Sequence, residues 1–236
     1  MRKFAAMNTL TRNWFHTQAT ALIAAIIIAG FARTYYFAFL FDAPPLTWLM
    51  HLHGLTFSAW LVIHLVQARL IAHHRYAAHR ALGITAAFVG LAMIVLGVIA
   101  WYGALQRGHA PPGRDPFAFS AVSATSLVEF GLFLGAALVM RKKREWHKRL
   151  MLLASISVLL PALGRLWFAL VGQSRLFPAL LVTSVVAWCF IDDLRKTGRV
   201  HRAYWLGGTL IVLSLPLRVW IGYTGPWQAF THWLVQ

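Results

Sequence analysis

The chain has 236 residues, of which 59% are hydrophobic and 12% are charged, and its mean hydropathy is +0.64. Soluble domains carry about 25% charged residues, so this composition excludes an ordinary soluble domain. The formal net charge of +16 does not require a nucleic-acid partner. The basic residues lie in short connections between apolar segments, where they set the membrane topology and contact anionic lipid headgroups.

Seven apolar segments are long enough to cross a hydrocarbon core of roughly 30 Å, which takes about 20 helical residues. They lie near residues 17–41, 46–72, 81–105, 116–140, 148–172, 176–194 and 204–224. The sequence therefore predicts an all-α protein, a polytopic bundle of seven transmembrane helices that forms a single integral membrane domain over residues 1–236. The one cysteine, Cys189, excludes an internal disulfide and a cysteine-based zinc or iron–sulfur site.

Lysine and arginine are distributed unevenly between the two sides of this bundle. Three lie on one side: Arg107, Arg114 and Arg175. Sixteen lie on the other: Arg2, Lys3, Arg12, Arg69, Arg75, Arg80, Arg141, Lys142, Lys143, Arg144, Lys148, Arg149, Arg195, Lys196, Arg199 and Arg202. The positive-inside rule makes the second side cytoplasmic. We therefore expect a multi-pass protein of a bacterial inner membrane with a cytoplasmic amino terminus and an extracytoplasmic carboxyl terminus.

The second span carries polar residues on one face of an apolar helix. At 100° per residue, this face includes His53, Trp60, His64 and Gln67, and His51 points the opposite way. His53 and His64 are roughly 16 Å apart along the axis, so one lies near a membrane surface and the other well inside. We expect the four residues to contribute to a ligand site. The plainer interpretation of His64 is a packing histidine bonded to a neighbouring carbonyl.

The fourth span carries Ser120, Ser123 and Ser126 at intervals of three and ends this polar stripe with Glu129, near the centre of the bilayer. An ionised carboxylate is strongly disfavoured there. The sequence therefore predicts that Glu129 is protonated or paired with a cation from another span. In the fifth span, Pro161 predicts a bend.

The four inside-to-outside spans share a pattern. Each begins with a histidine: His16, His79, His147 and His201. In three of them an arginine follows 17 or 18 residues later: Arg33, Arg165 and Arg218. A spacing of 17 residues is roughly 25 Å, so the arginines reach a similar depth. The histidines have a plain explanation as interfacial residues at helix starts.

Three arginines at one depth indicate an anion, because each costs at least roughly 2.5–3.5 kcal/mol at mid-membrane. A lipid phosphate, a ligand carboxylate or haem propionates would each match a guanidinium group. We expect Arg33, Arg165 and Arg218 to converge near His53 on one outward-facing cavity. The alternative is that all three extend separately to the lipid headgroups.

A set of motifs runs from the second span through the fifth: His51-x-His53-Gly54, Trp60, Gln67, His79-Arg80-x-Leu82-Gly83, His147-Lys148-Arg149-Leu150-Met151 and Pro161-x-x-x-Arg165. It resembles that of a group of uncharacterised bacterial multi-pass membrane proteins. The resemblance implies a seven-helix membrane fold and carries over no activity and no catalytic residue. A looser likeness to membrane proteins around haem–copper oxidases rests only on the spans and histidines.

The first functional hypothesis is the binding or transport of a small anionic or amphiphilic ligand. In it, the three arginines hold the ligand at an outer-leaflet site, and His53, His64 and Glu129 line a protonatable path.

The second hypothesis is a haem- or copper-handling redox protein with His51 or His53 as a metal ligand. No other span has an interior histidine, which leaves only His109 or His232 as a second axial ligand. A zinc hydrolase would need a clustered motif such as HExxH, which is absent. Retinal is disfavoured because the seventh span has no lysine. A non-catalytic subunit or assembly factor of a respiratory complex fits all of these observations.

Overall fold

A computed structural model describes the backbone of residues 2–172, 174 and 176–236 and the side chains from residue 14 onward, apart from residues 173 and 175. Nine α-helices and no strands occur in these residues: α1 (Arg2–Phe31), α2 (Trp48–Ala72), α3 (Tyr76–Gln106), α4 (Pro116–Val139), α5 (Arg144–Ser157), α6 (Leu160–Leu170), α7 (Leu176–Thr197), α8 (Arg202–Gly222) and α9 (Gly225–Val235). Six spans are long and apolar enough to cross a membrane, or seven when α5 and α6 count as one bent span. The expected all-α, multi-span architecture is confirmed.

Several helices extend beyond the predicted limits. The third span begins at Tyr76 rather than near residue 81, and the sixth continues to Thr197. An α-helix forms its backbone hydrogen bonds within itself, whatever its side chains are. Polar residues at the end of an apolar segment can therefore continue the helix. Helix α9 was not predicted. Its Pro226 lies in the first turn, where proline's missing N–H leaves no hydrogen bond unmade.

Two local breaks change the direction or register of a span. Helix α5 ends at Ser157 and α6 begins at Leu160, with a bend of 43° between them. Pro161 lies in the first turn of α6, so the predicted bend is confirmed. Helix α1 passes into a π-helical turn at Ala32–Tyr36. This wider turn alters the direction in which Arg33 points.

Helix α4 lies at the centre of the bundle and packs against α3, α5, α8 and α9, while α1 packs against α2, α5 and α6. Two glycines allow close approach between helix backbones. A Cβ atom on Gly30 would overlap the backbone of Ala162 in α6, and one on Gly222 would overlap the backbone of Ala118 in α4. Small residues at such crossings are the usual means of close helix packing in membranes.

Contacts between helix ends define two ends of the bundle. At one end, the rings of Trp14 and His73 lie 6.1 Å apart and Arg144 lies 5.5 Å from the Tyr76 ring. We call this the basic end; its connections are residues 73–75, 140–143 and 198–201. The connections of the opposite, distal end are residues 41–47, 107–115 and 223–224. Four basic residues of the charge prediction have side chains outside the described part of the chain: Arg2, Lys3, Arg12 and Arg175.

Candidate functional site

Glu129 of α4 and Arg218 of α8 form an ion pair inside the bundle. The Arg218 Nη2 atom lies 3.0 Å from Glu129 Oε2, and the two side chains are 1% and 4% exposed. The guanidinium group also donates to the hydroxyl groups of Ser126, at 2.9 Å, and Ser214, at 2.6 Å. The prediction that Glu129 has a cationic partner in another span is confirmed.

The local sequence places these groups on facing helix surfaces. Ser126 and Glu129 are three residues apart on α4, and Ser214 and Arg218 are four apart on α8, so each pair shares a helix face. The close approach of Gly222 to α4 brings the two faces together. The second carboxylate oxygen, Glu129 Oε1, is buried and has no hydrogen-bond partner in the described part of the chain.

The polar face of α2 meets α5 through one serine. The Ser155 hydroxyl oxygen lies 2.7 Å from His64 Nδ1 and accepts a hydrogen bond of 3.1 Å from Trp60 Nε1. Trp60 also packs edge-on against Phe130, with ring centroids 5.2 Å apart. His64 is therefore bonded to a hydroxyl group rather than to the carbonyl of the plainer interpretation. Gln67, which is 8% exposed, lies one turn closer to the basic end.

The three arginines at similar depth occupy different environments. Arg165 is exposed, lies 4.6 Å from the Phe31 ring and donates to the Pro161 carbonyl of its own helix. Arg33 is also exposed and lies 4.8 Å from the Phe41 ring. Arg218 is buried and contacts Ser126 and Glu129 of α4. The expectation that all three share one cavity is therefore wrong for Arg218.

The physical reason is the packing of the helices that carry them. Helix α8 packs against α4, α5 and α7, whereas α6 packs against α1 and α7. The π-helical turn before Arg33 and the break before Arg165 also rotate these side chains relative to a continuous helix. His53 is partly buried and stacks on Phe57, with ring centroids 4.4 Å apart.

The candidate metal ligands lie near the distal end of α2. His51 is exposed, and its backbone carbonyl accepts a hydrogen bond of 3.1 Å from the Tyr35 hydroxyl group. Within the described residues, no group of three or more His, Cys, Asp and Glu side chains is arranged to hold a metal ion. His51 and His53 thus lack a third protein ligand of these types there. Two surface grooves, one between α2 and α3 and one between α1, α6 and α7, are lined by none of the candidate residues.

A second buried ion pair lies near the basic end and was missed from the sequence. Arg149 of α5 donates through Nε to Asp193 Oδ2 at 2.9 Å and through Nη2 to Oδ1, so the pair is bidentate. Both residues are 3% exposed. Arg149 also pairs with Glu145 and lies 5.3 Å from the Tyr204 ring. From its sequence, Arg149 is expected among the basic residues of a connection between spans. The sequence feature that points to this pair is Asp193, a carboxylate that directly follows an apolar run.

His201 lies beside this pair, and its surroundings in the folded protein favour the neutral ring. Its Nδ1 atom accepts a hydrogen bond of 3.1 Å from the backbone N–H of Ala203 and so caps α8. Burial, and next the positive charge of Arg149, lower the pKa of His201 from its ordinary value of 6.5. The unfolded chain therefore binds this proton more tightly than the folded protein does. The stability contributed by the neutral ring is complete above about pH 6.5 and is lost as the pH falls below that value.

We predict that the melting temperature of the unchanged protein, followed by circular dichroism, falls between pH 7 and pH 5 and that His201→Asn makes this fall smaller. Asparagine caps a helix without titrating in this range. His74→Asn is the matched control, because His74 is exposed and its positive φ of 58° suits asparagine. An equally steep fall in His201→Asn would contradict the prediction.

Comparisons with protein-family models, with curated proteins and with solved structures found no match. The helices define the class of protein, which is a multi-pass α-helical membrane protein. In the part of the chain that the structure describes, it has two buried arginine–carboxylate pairs and a histidine-bearing face on α2.

Proposed function

We propose that this protein binds or transports a small anionic ligand and that protonation of Glu129 is coupled to ligand binding at Arg218. It is a multi-pass protein of a bacterial inner membrane. The basic end faces the cytoplasm, with the amino terminus, and contacts anionic lipid headgroups; the carboxyl terminus is outside. The excess of lysine and arginine at the basic end supports this orientation.

The buried pair of Glu129 and Arg218 carries the proposal. The Arg218 guanidinium group already binds the carboxylate of Glu129. A ligand carboxylate or sulfate forms the same kind of charge-assisted hydrogen bond with a guanidinium group. Such a ligand can replace Glu129 only when Glu129 loses its charge. Glu129 Oε1, which has no partner among the described residues, is the atom that takes the proton. For a ligand group with a single negative charge, such as one carboxylate of succinate, the net charge of the site is then zero before and after binding, so no unpaired charge is buried.

Other candidate residues support a route to this pair. Arg33 and Arg165 put positive charge at the distal side, where it attracts an anion. On α2, Trp60 packs against Phe130, the neighbour of Glu129 in α4, and binds the same hydroxyl group as His64. His64 is the protonatable group on this side of the pair.

The proposal is tested with purified protein in vesicles that contain a pH-sensitive dye. An inward gradient of succinate or of sulfate, which represent carboxylates and oxoanions, is expected to acidify the lumen more than in protein-free vesicles. Glu129→Gln should abolish this acidification while uptake of radiolabelled anion persists. Asp42→Asn is the control, because Asp42 is an exposed acid in a connection at the distal end.

Two results would contradict the proposal. One is the absence of acidification with both anions; the other is acidification by Glu129→Gln equal to that of the unchanged protein. An absorption spectrum of haem or protein-bound copper in the purified protein would favour the redox alternative instead.

A further inference from the structure

A second group of polar side chains lies toward the basic end, where α2, α3 and α5 meet. The rings of His79 on α3 and His147 on α5 have centroids 6.4 Å apart and are nearly perpendicular. His64 of α2 is bonded to Ser155, which lies about two turns beyond His147 on α5. We call His64, Gln67, His79 and His147 the basic-end histidine site. The proposed function uses only its inner member, His64.

Two polar atoms of this site are buried without a hydrogen-bond partner in the described part of the chain. They are Gln67 Oε1, on a residue that is 8% exposed, and His79 Nδ1. Buried groups of this kind are normally satisfied by ordered water when protein partners are absent. Because Gly83 has no side chain, there is space beside these two atoms. A Cβ atom built at Gly83 would come near only one group, Gln67 Nε2, at 3.6 Å.

The hydrogen bonds at either side assign the ring protons. The Ser155 oxygen accepts from Trp60 Nε1 and has one proton to donate; when that proton goes to His64 Nδ1, neutral His64 carries its ring proton on Nε2. The Ala137 carbonyl only accepts, so His147 Nδ1 donates to it at 2.9 Å and His147 Nε2 is left as an acceptor. The site therefore contains donors and acceptors that water molecules can connect.

We propose that the basic-end histidine site holds water and takes up protons from the basic end of the bundle. The proton of a hydronium ion binds His147 Nε2: one N–H bond forms as one O–H bond breaks, and the reverse step releases the proton to water beside Gln67. The titratable and charged groups around this position are His79 on α3, whose ring centroid lies 6.4 Å from that of His147, His64 on α2, which is bonded to Ser155 of the helix that carries His147, and Arg80, which follows His79. From α4, the recorded contact is the Ala137 carbonyl. Delivery of the proton to Glu129 rests on the proposed function, whereas the hydration of the site does not.

Deuterium exchange at the imidazole C2 position, read by mass spectrometry for each histidine, tests this inference in lipid nanodiscs. Exchange requires solvent access, so His64 should exchange measurably in the unchanged protein, and exposed His74 serves as the internal reference in each variant. Gly83→Leu fills the space beside Gln67 and should slow exchange at His64 by about tenfold or more, without changing His74. Gly135→Leu is the matched control, because a Cβ atom at Gly135 meets nothing within 4 Å.

A second measurement holds even if Gly83→Leu fails to fold. Gln67→Met keeps the length of the side chain and removes the buried carbonyl oxygen. In a dry site this removes an unsatisfied group and raises the melting temperature. In a hydrated site the water loses a partner, and the melting temperature falls. No measurable exchange at His64, no effect of a folded Gly83→Leu, or a rise in melting temperature in Gln67→Met would each overturn the inference. A failed vesicle assay with rapid exchange at His64 would reject the proposed function alone.

Discussion

Replacing Arg218 with methionine is expected to destabilise the protein by about 3–5 kcal/mol, because one partner of a buried ion pair is left alone. Glu129 is 4% exposed, and it would have to remain charged without a cation or take up a proton. For a carboxyl group with the ordinary pKa of about 4.3, protonation at pH 7 costs roughly 3.7 kcal/mol. The two serines that accept from Arg218 would also lose their donor.

The chain supplies its own reporter for this measurement. Cys189 is the single cysteine in the sequence and is 1% exposed, so a thiol-reactive fluorophore labels it only after unfolding. Unfolding by added detergent should show the full loss in Arg218→Met. The double variant Arg218→Met with Glu129→Gln should recover most of it, because no buried charge remains.

Arg165→Met is the control for loss of an arginine at similar depth. Arg165 is exposed, and its aromatic contact with Phe31 is worth about 0.5–1 kcal/mol. Equal destabilisation by Arg165→Met and Arg218→Met would contradict the structural distinction between the two arginines. No recovery in the double variant would show that the lost stability does not arise from the charge of Glu129.

Replacing Arg149 with methionine is expected to have a similar effect, about 3–5 kcal/mol. Asp193 is 3% exposed and would keep only its hydrogen bond from the His201 backbone N–H. The Arg149 guanidinium group connects α5 to Asp193 of α7 and lies against Tyr204 of α8. Its removal therefore weakens the contacts among three helices at once.

The variant Arg149→Lys distinguishes the contribution of the positive charge of Arg149 from that of the shape of its guanidinium group. Lysine keeps the positive charge but lacks the planar fork that binds both oxygens of Asp193, so an intermediate loss is expected in the same Cys189 assay. Lys196→Met is the control, since its ion pair with Asp192 is more exposed and such helical pairs contribute about 0.3–0.5 kcal/mol. The interpretation would be wrong if Arg149→Lys were as unstable as Arg149→Met.

The candidate site could be predicted from the sequence only in part. The need of Glu129 for a cation follows from the unfavourable transfer of a carboxylate into the membrane, whatever the fold. That Arg218 is this cation does not follow from the sequence, because Arg33 and Arg165 follow their helix-start histidines at nearly the same spacing. A change of one residue rotates a side chain by 100° about the helix axis, so equal depth does not imply a common direction.

By itself, the sequence determined the presence of several apolar spans, the asymmetry of basic charge and the bend at Pro161, because these depend on residues that are close together in the chain. Only the tertiary structure decided which residues meet: Glu129 with Arg218, Arg149 with Asp193 and His64 with Ser155. Each pair joins two helices, and their order and rotation in the bundle follow from packing over the whole chain. Close contacts at Gly30 and Gly222 contribute to that packing, and neither is apparent from the local sequence.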